Sequence, residues 1–206
     1  MKKSPFWGVF LLAAFLVLSV FVYLELNSFD QSVTSFLQAS IPRRLDIFFS
    51  IFSIIGVFEI STIVLLLIVL YFKKLNKLII LAGYGAVLAV EMLSKSAIAQ
   101  IAPSIELLRT KIFFSFPTGE VSSAFYAYPS GHVSRTAFIS IILLLIIWNS
   151  SLKREQKIAL GVLVIVFLAV MTLSRIYLAE HWASDGIGGI LLGSAVGLLA
   201  FNFKKG

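Results

Sequence analysis

Cysteine is absent from the 206-residue chain and histidine occurs only twice. The first absence excludes disulfides, thiolate metal sites and a cysteine nucleophile; the second leaves too few imidazoles for a histidine-rich metal centre. Charge is scarce as well: Asp, Glu, Lys and Arg make up 13% of the residues, against about a quarter in a soluble domain. With 59% hydrophobic residues and a mean hydropathy of +1.00, this excludes a disordered chain, a collagen-like fibre and an ordinary cytosolic enzyme. The formal charge of +7 raises the question of nucleic acid, which the positions of the basic residues answer.

Apolar sequence is abundant and falls in long blocks. Phe6–Leu24 is uncharged, Leu45–Phe72 carries Asp46 and Glu59, and Leu78–Ser94 carries only Glu91. Thr136–Leu152, Ile158–Ser174 and Gly186–Phe203 are uncharged. About 20 apolar helical residues cross a bilayer core, a length each block reaches with its flanks. Lipid tolerates no unpaired backbone group and the blocks lack strand-like alternation, so six transmembrane helices are expected. The expected fold class is an all-α membrane protein, one domain over residues 1–206. With the N-terminus in the cytoplasm, the inner segments hold Lys2, Lys3, Lys73, Lys74, Lys77, Lys153, Arg154, Lys157, Lys204 and Lys205, ten of the seventeen basic residues. This positive-inside pattern places both termini in the cytoplasm and accounts for the basic balance without nucleic acid. Lys2 and Lys3 ahead of an apolar run also suit a signal peptide, but no small-residue cleavage site follows, so a retained first span is expected.

Between the first two blocks, Phe29, Val33, Phe36 and Leu37 recur at helical spacing, opposite Asp30, Gln31, Thr34, Ser35 and Gln38. A short helix at about residues 28–40, closed by Pro42, is expected on the outer membrane surface; a packed connector is the competing reading. In the last block Gly189, Gly193 and Gly197 form a small-residue stripe suited to close helix packing within the bundle.

The chemistry-bearing residues cluster on the outer side. Pro129-Ser130-Gly131-His132 leads into the fourth span, Ser174 to Asp185 bridges the fifth and sixth, and Lys95 ends the third. Ser130 and Gly131 ahead of a helix suit an anion such as phosphate, and Lys95 and Arg175 add fixed positive charge. His181 and Asp185, four apart, share a helical face. A carboxylate on one ring nitrogen sets the tautomer and makes the other nitrogen a better nucleophile or base. His132 is then free to act as a general acid. The set reads as phosphoryl transfer through a histidine, with no metal and no cofactor.

These residues resemble the type-2 phosphatidic acid phosphatase superfamily, integral-membrane lipid phosphate phosphatases. Its pattern is Lys-x6-Arg-Pro, then Pro-Ser-Gly-His, then Ser-Arg-x5-His-x3-Asp; the second and third match at Pro129–His132 and Ser174–Asp185. The resemblance covers the catalytic half, about residues 91–189. It implies that His181 attacks phosphorus, Asp185 orients it, His132 protonates the leaving group, and Lys95, Ser130, Gly131 and Arg175 hold the phosphoryl oxygens. The first motif departs from the pattern: Lys95 and Pro103 are in place, but Ala102 stands where the arginine is expected. A bidentate phosphate ligand is thus missing. An arginine installed at 102 is expected to raise kcat/KM about ten-fold, unless Arg109 or Arg135 already takes its place.

The expected function is metal-independent hydrolysis of a lipid phosphate or diphosphate at the outer leaflet of the cell membrane. Polyprenyl diphosphate leads, because Arg109, Lys111 and Arg135 add possible contacts to a second phosphate. Phosphatidylglycerol phosphate, phosphatidate and lipid A phosphates share the chemistry, as does a lipid phosphotransferase. The opposing reading is a catalytically weak lipid-phosphate binding or translocating protein, which Ala102 favours. Membrane lipids are the expected partners besides the substrate. Glu91, one turn below Lys95, is expected either to orient it or to sit as a protonated acid in the bundle. Tyr126, Tyr128, Tyr177 and Trp182 are expected in an interfacial aromatic belt.

Overall fold

The computed structural model describes residues 4–111 and 126–201, and among them the regular structure is entirely helical. The helices in chain order are α1 (Ser4–Tyr23), α2 (Phe29–Ser40), α3 (Asp46–Ile54), α4 (Phe58–Tyr71), α5 (Lys77–Ala97), α6 (Gly131–Trp148), α7 (Arg154–Tyr177) and α8 (Ala183–Ala200). Short 3-10 turns at Arg43–Leu45 and Ile105–Leu107 lie between them. Lys2, Lys3, Lys204 and Lys205 of the inner charge set lie outside the described residues.

Five helices, α1, α5, α6, α7 and α8, are each long and apolar enough to cross a membrane. The sixth expected span, Leu45–Phe72, is not continuous. It breaks into α3 and α4, which meet at a 54° bend around Gly56. The break leaves backbone groups free of the helical ladder, and the Gly56 carbonyl accepts from Arg135 Nη2 at 3.2 Å. Irregular backbone at membrane depth is tolerated where protein supplies such partners. Helix α6 begins at Gly131, so Pro129-Ser130-Gly131-His132 leads into the fourth span as expected, and the helix starts ahead of the apolar block that opens at Thr136. Gly131–Arg135 reads as too polar for a span because lipid is the assumed surrounding; here these residues face other helices and most of them are buried.

Helices α6 and α8 form the buried centre, while α1, α5 and α7 turn most of their surface outward. Lipid tails are as apolar as leucine, so helices in a membrane are held by close contact rather than by escape from water. The glycine stripe of α8 supplies that contact. A Cβ on Gly193 would stand 2.1 Å from the Ser134 carbonyl oxygen, and one on Gly189 would stand 2.8 Å from that of Ser130. Around this seam Phe138, Ile142 and Leu192 pack with Ile80, Val87, Leu65 and Val69 from α5 and α4.

Tyr128 and Tyr177 do not belong to an interfacial belt: both are 0% exposed. Tyr128 stacks on Phe15 and its hydroxyl lies 3.1 Å from Ser19 Oγ. Tyr177 donates to Asp46 Oδ1 at 2.5 Å. Their hydroxyls have partners inside the bundle, so the rings need no aqueous edge. Helix α2 forms where expected; Asp30 and Thr34 on it are buried, while Phe36 is exposed.

The seam yields a direct test. Gly193→Ala must force the Ser134 backbone aside and is expected to cost about 1–3 kcal/mol or more. Gly85→Ala, with nothing within 4 Å of the new carbon, is expected to stabilise α5 by about 0.5–1 kcal/mol. Thermal unfolding of both variants in one detergent distinguishes them; equal shifts would contradict the seam.

Candidate active site

The site gathers at the end of the bundle where α6 and α8 begin and α5 and α7 end. Ser130 precedes α6 in extended conformation, its N–H donating to the Asp185 carbonyl at 3.0 Å. The second and third motifs are thereby joined backbone to backbone. The Ser130 hydroxyl makes no capping bond and, though buried, has no partner among the described residues.

The third motif is folded by its own chemistry. Helix α7 stops at Tyr177, and Ala179 turns the chain with φ of 55°. The N–H groups of Glu180 and His181 both return to the Arg175 carbonyl, at 3.1 and 3.2 Å. Asp185 then lies in the first turn of α8, where free N–H groups favour a carboxylate. Its Oδ2 accepts from the Trp182 N–H at 2.9 Å and lies 3.2 Å from His181 Nδ1. One carboxylate closes the helix and holds the ring. With Nδ1–H donated to Asp185, the His181 Nε2 lone pair is free. His181 is buried, and burial pushes its imidazole well below the ordinary histidine value; the Arg175 and Lys95 cations push it the same way. The ring is therefore neutral at neutral pH.

Three cations surround this pair. Lys95, at the end of α5, lies 3.1 Å from Glu91 Oε1, and Arg135 Nη1 lies 3.0 Å from Glu91 Oε2. Glu91 thus orients Lys95, and it holds Arg135 in the same grip. The network presses on Gly131, where a Cβ would stand 2.0 Å from Glu91 Oε1 and 2.8 Å from Arg135 Nη1. Only glycine allows this approach. Arg175 is held by the Ser53 hydroxyl and by Glu180, whose other oxygen accepts from Thr110 Oγ1 at 2.5 Å. The Nε atoms of Arg135 and Arg175 are buried without partners among the described residues. His132, less buried than its neighbours, lays its ring edge against Gly56, where a Cβ would stand 2.8 Å from its Cδ2.

The structure therefore brings Lys95, Ser130, Gly131, His132, Arg135, Arg175, His181 and Asp185 to one end of the bundle. Arg109 points elsewhere. Its Nη donors reach the Gln38 carbonyl at 2.9 Å and the Tyr177 hydroxyl at 3.1 Å, with the guanidinium 5.1 Å from the Tyr177 ring centre. Lys111 has an exposed side chain, and its N–H donates to Ser50 Oγ at 3.0 Å. Ala102 sits exposed in the extended stretch after α5. Ser53, Gly56 and Asp30 lie outside every motif, and Gln100 and Ser184 fill unspecified motif positions, yet all five contribute to the site; the one sequence signal, for all but Gly56, is polarity beside apolar runs. Among the described residues, no three His, Asp or Glu side chains gather as a metal site needs.

The depressed His181 pKa has a stability consequence. Its folded value lies below the unfolded value of 6.5, so at lower pH the unfolded chain binds the proton more readily. The contribution of neutral His181 is present above that value and lost as pH falls below it, by at most about 1.4 kcal/mol per pH unit. Lowering the pH from about 7.5 to about 5.5 is thus expected to lower the wild-type Tm more than that of His181→Gln. Equal losses in the two proteins would refute it.

Comparison with known proteins agrees with this geometry. The family model described as the PAP2 superfamily matches residues 76–206. An undecaprenyl-diphosphatase of Sulfolobus acidocaldarius is 27% identical over 218 aligned positions, covering 100% of this chain and 94% of that protein. The solved structure of a transmembrane PAP2-type phosphatidylglycerolphosphate phosphatase from Bacillus subtilis superposes with a TM-score of 0.75 at 19% identity, over 96% of this chain and 94% of that one. Aquifex aeolicus LpxE superposes with a TM-score of 0.63 at 16% identity, over 83% and 93%. At such identities the two structures speak for the fold alone. The family match takes in more than half of the chain and all three motif segments, and this multi-pass membrane protein belongs to the PAP2 superfamily.

Proposed function

We propose that the chain hydrolyses a lipid phosphate or diphosphate through a phosphohistidine at His181, within one domain whose catalytic half is about residues 91–189. The observation that carries this is the set of buried, unpaired donors, Ser130 Oγ, Arg135 Nε and Arg175 Nε, beside a neutral histidine held by a carboxylate. Leaving buried donors unpaired costs about 1–3 kcal/mol each, a cost that phosphoryl oxygens would relieve.

In the reaction, His181 Nε2 forms a bond to phosphorus as the bond to the leaving oxygen breaks, and His132 gives that oxygen a proton. Asp185 stabilises the positive charge that develops on the His181 ring. Lys95, Arg135, Arg175, Ser130 and the Gly131 N–H face the charge that spreads over the equatorial oxygens. Water then cleaves the phosphorus–nitrogen bond, with His132 accepting its proton. Arg135 takes the part that Ala102 lacks. It reaches the cradle from α6 instead of from the end of α5, and Glu91 ties it to Lys95.

Polyprenyl diphosphate is the leading substrate, supported by the undecaprenyl-diphosphatase relative. Arg109 is engaged with α2, which leaves Lys111, anchored one turn from Ser53, as the peripheral cation for a second phosphate. The positive-inside pattern supports cytoplasmic termini and a site on the extracytoplasmic side of the cell membrane. The exposed Phe36 supports contact of α2 with the membrane interface. A lipid-binding protein without turnover is the alternative that Ala102 alone suggests.

Phosphate release from a panel of polyprenyl diphosphate, phosphatidylglycerol phosphate and phosphatidate, with EDTA present, tests the reading. Turnover and an acid-labile phosphoenzyme are expected from the wild type, and neither from His181→Ala; a normal rate in His181→Ala would exclude the phosphohistidine. On the best substrate, Arg135→Ala is expected to lose about ten-fold or more in kcat/KM, a barrier change of about 1.4 kcal/mol or more. Ala102→Arg in the wild type should give no gain, because the place is filled. A ten-fold gain there, with Arg135→Ala unimpaired, would show the ligand to be missing after all. For sidedness, single cysteines at 153 and 106 should react with an impermeant thiol reagent on intact cells at 106 only.

A further inference from the structure

Helix α2 lies outside every motif, yet it holds the turn that carries His181. Asp30, at its start, is 4% exposed. Its Oδ1 accepts from the Ser184 N–H at 2.7 Å, and its Oδ2 accepts from the Ser184 hydroxyl at 2.6 Å. The same Oδ2 accepts from Asn27 Nδ2 at 2.6 Å and Gln100 Nε2 at 3.2 Å. Ser184 belongs to the first turn of α8, whose N–H groups have no partner within the helix. Asp185, the next residue, closes the same turn from inside through the Trp182 N–H. Two carboxylates therefore fix this turn, one from within the motif and one from α2.

The other end of the turn is held from α2 as well. Gln38, eight residues and about 12 Å along the helix from Asp30, donates to the Tyr177 carbonyl at 3.0 Å and the Leu107 carbonyl at 2.8 Å. The segment between, Leu178 to Trp182, contains His181. Asp30 also reaches the first motif through Gln100, whose carbonyl accepts the Ala127 N–H at 2.9 Å on the approach to Ser130. One carboxylate thus organises all three motif segments without facing the reacting atoms.

We propose that Asp30 is a positioning residue for His181 and that α2 is the brace that carries it. By pinning Ser184, Asp30 sets the register of Asp185, and through it the tautomer and aim of the His181 ring. This rests on the phosphohistidine reading for its effect on rate, but the ring geometry it asserts is independent of turnover. A carboxylate is required because four donors converge on two oxygens; an asparagine would turn an NH2 group against them.

The chain has two histidines, so ring nitrogens can be observed in 15N-histidine-labelled protein in detergent, with His132→Gln assigning the pair. In the wild type His181 should be the Nδ1–H tautomer. Asp30→Asn should give mixed tautomers and, per mole of folded protein, a drop of about ten-fold or more in kcat with KM within about two-fold. Asp30→Asn with Gln100→Glu exchanges acceptor and donor and should restore both readouts, and Gln31→Ala should match the wild type. If Asp30→Asn does not fold, Asp30→Glu, which keeps the charge but displaces it by one methylene, should show the same tautomer shift. An unchanged His181 tautomer in the folded Asp30 variant overturns the proposal, as does a rate loss explained wholly by a smaller folded fraction. Absence of phosphate release and phosphoenzyme in the wild type would instead refute the enzymatic reading, and the tautomer comparison would still decide the role of Asp30.

Discussion

The contact of α6 with α8 is the constraint on which the rest depends. Gly189 and Gly193 let the α8 backbone lie against the Ser130 and Ser134 carbonyls, and the Ser130 N–H reaches the Asp185 carbonyl just above. Both helices begin at this end, so the seam aligns two helix N-termini side by side. Free N–H groups and positive dipole ends at one spot favour anions. The first consequence is that Asp30 and Asp185 both lodge there, Asp30 accepting from the Ser184 N–H and Asp185 from the Trp182 N–H. The second is the place proposed for the phosphoryl group. A wider spacing of α6 and α8 would separate Pro129–His132 from Ser174–Asp185, and no side-chain change could rejoin them.

Buried charge sets the second requirement. Lys95, Arg135 and Arg175 are all nearly inaccessible, at 7%, 7% and 5% exposure. Unpaired cations in such a place would cost several kcal/mol each. Glu91 answers for the first two and Glu180 for the third. The two acids leave the cations charged and aimed while reducing the net positive charge that a neutral His181 must face. They also leave the two Nε groups unclaimed, so the pairing stabilises the empty protein without consuming every donor.

Much of this was legible in the sequence, and the limits have physical causes. Five spans follow from hydropathy because lipid-facing helices must be apolar all round. The sixth is legible as an apolar block but its break at Gly56 is not, since the partners of that region, Arg135 and Arg175, come from distant helices and composition carries no record of a partner. The apolar block of α6 opens only at Thr136 for the same reason: the polar first turn from Gly131 is accommodated by protein rather than by lipid. His181 and Asp185 were readable because their contact is local, four residues apart across the turn that opens α8. Asp30 was not, because its partner Ser184 is 154 positions away and a lone aspartate in a short amphipathic segment reads as a solvated face. The aromatic belt failed at Tyr128 and Tyr177 because each found a hydroxyl partner indoors.

The departure at Ala102 and the break in the second span then have one explanation. Ala102 lies exposed in the irregular stretch after α5. Arg135 comes from within α6 and must cross toward α5, where Glu91 receives it. A long side chain directed inward from a central helix needs acceptors at that depth, and an unbroken helix offers none. The Gly56 carbonyl, released by the 54° bend, is such an acceptor. Gly131 must lack a side chain for the same path to be open. Arg135, Glu91, Gly56 and Gly131 thus form a set in which each member is intelligible only with the others. That interdependence supports the proposed reading in which Arg135, held by Glu91 and the Gly56 carbonyl, takes the part of the arginine absent at 102.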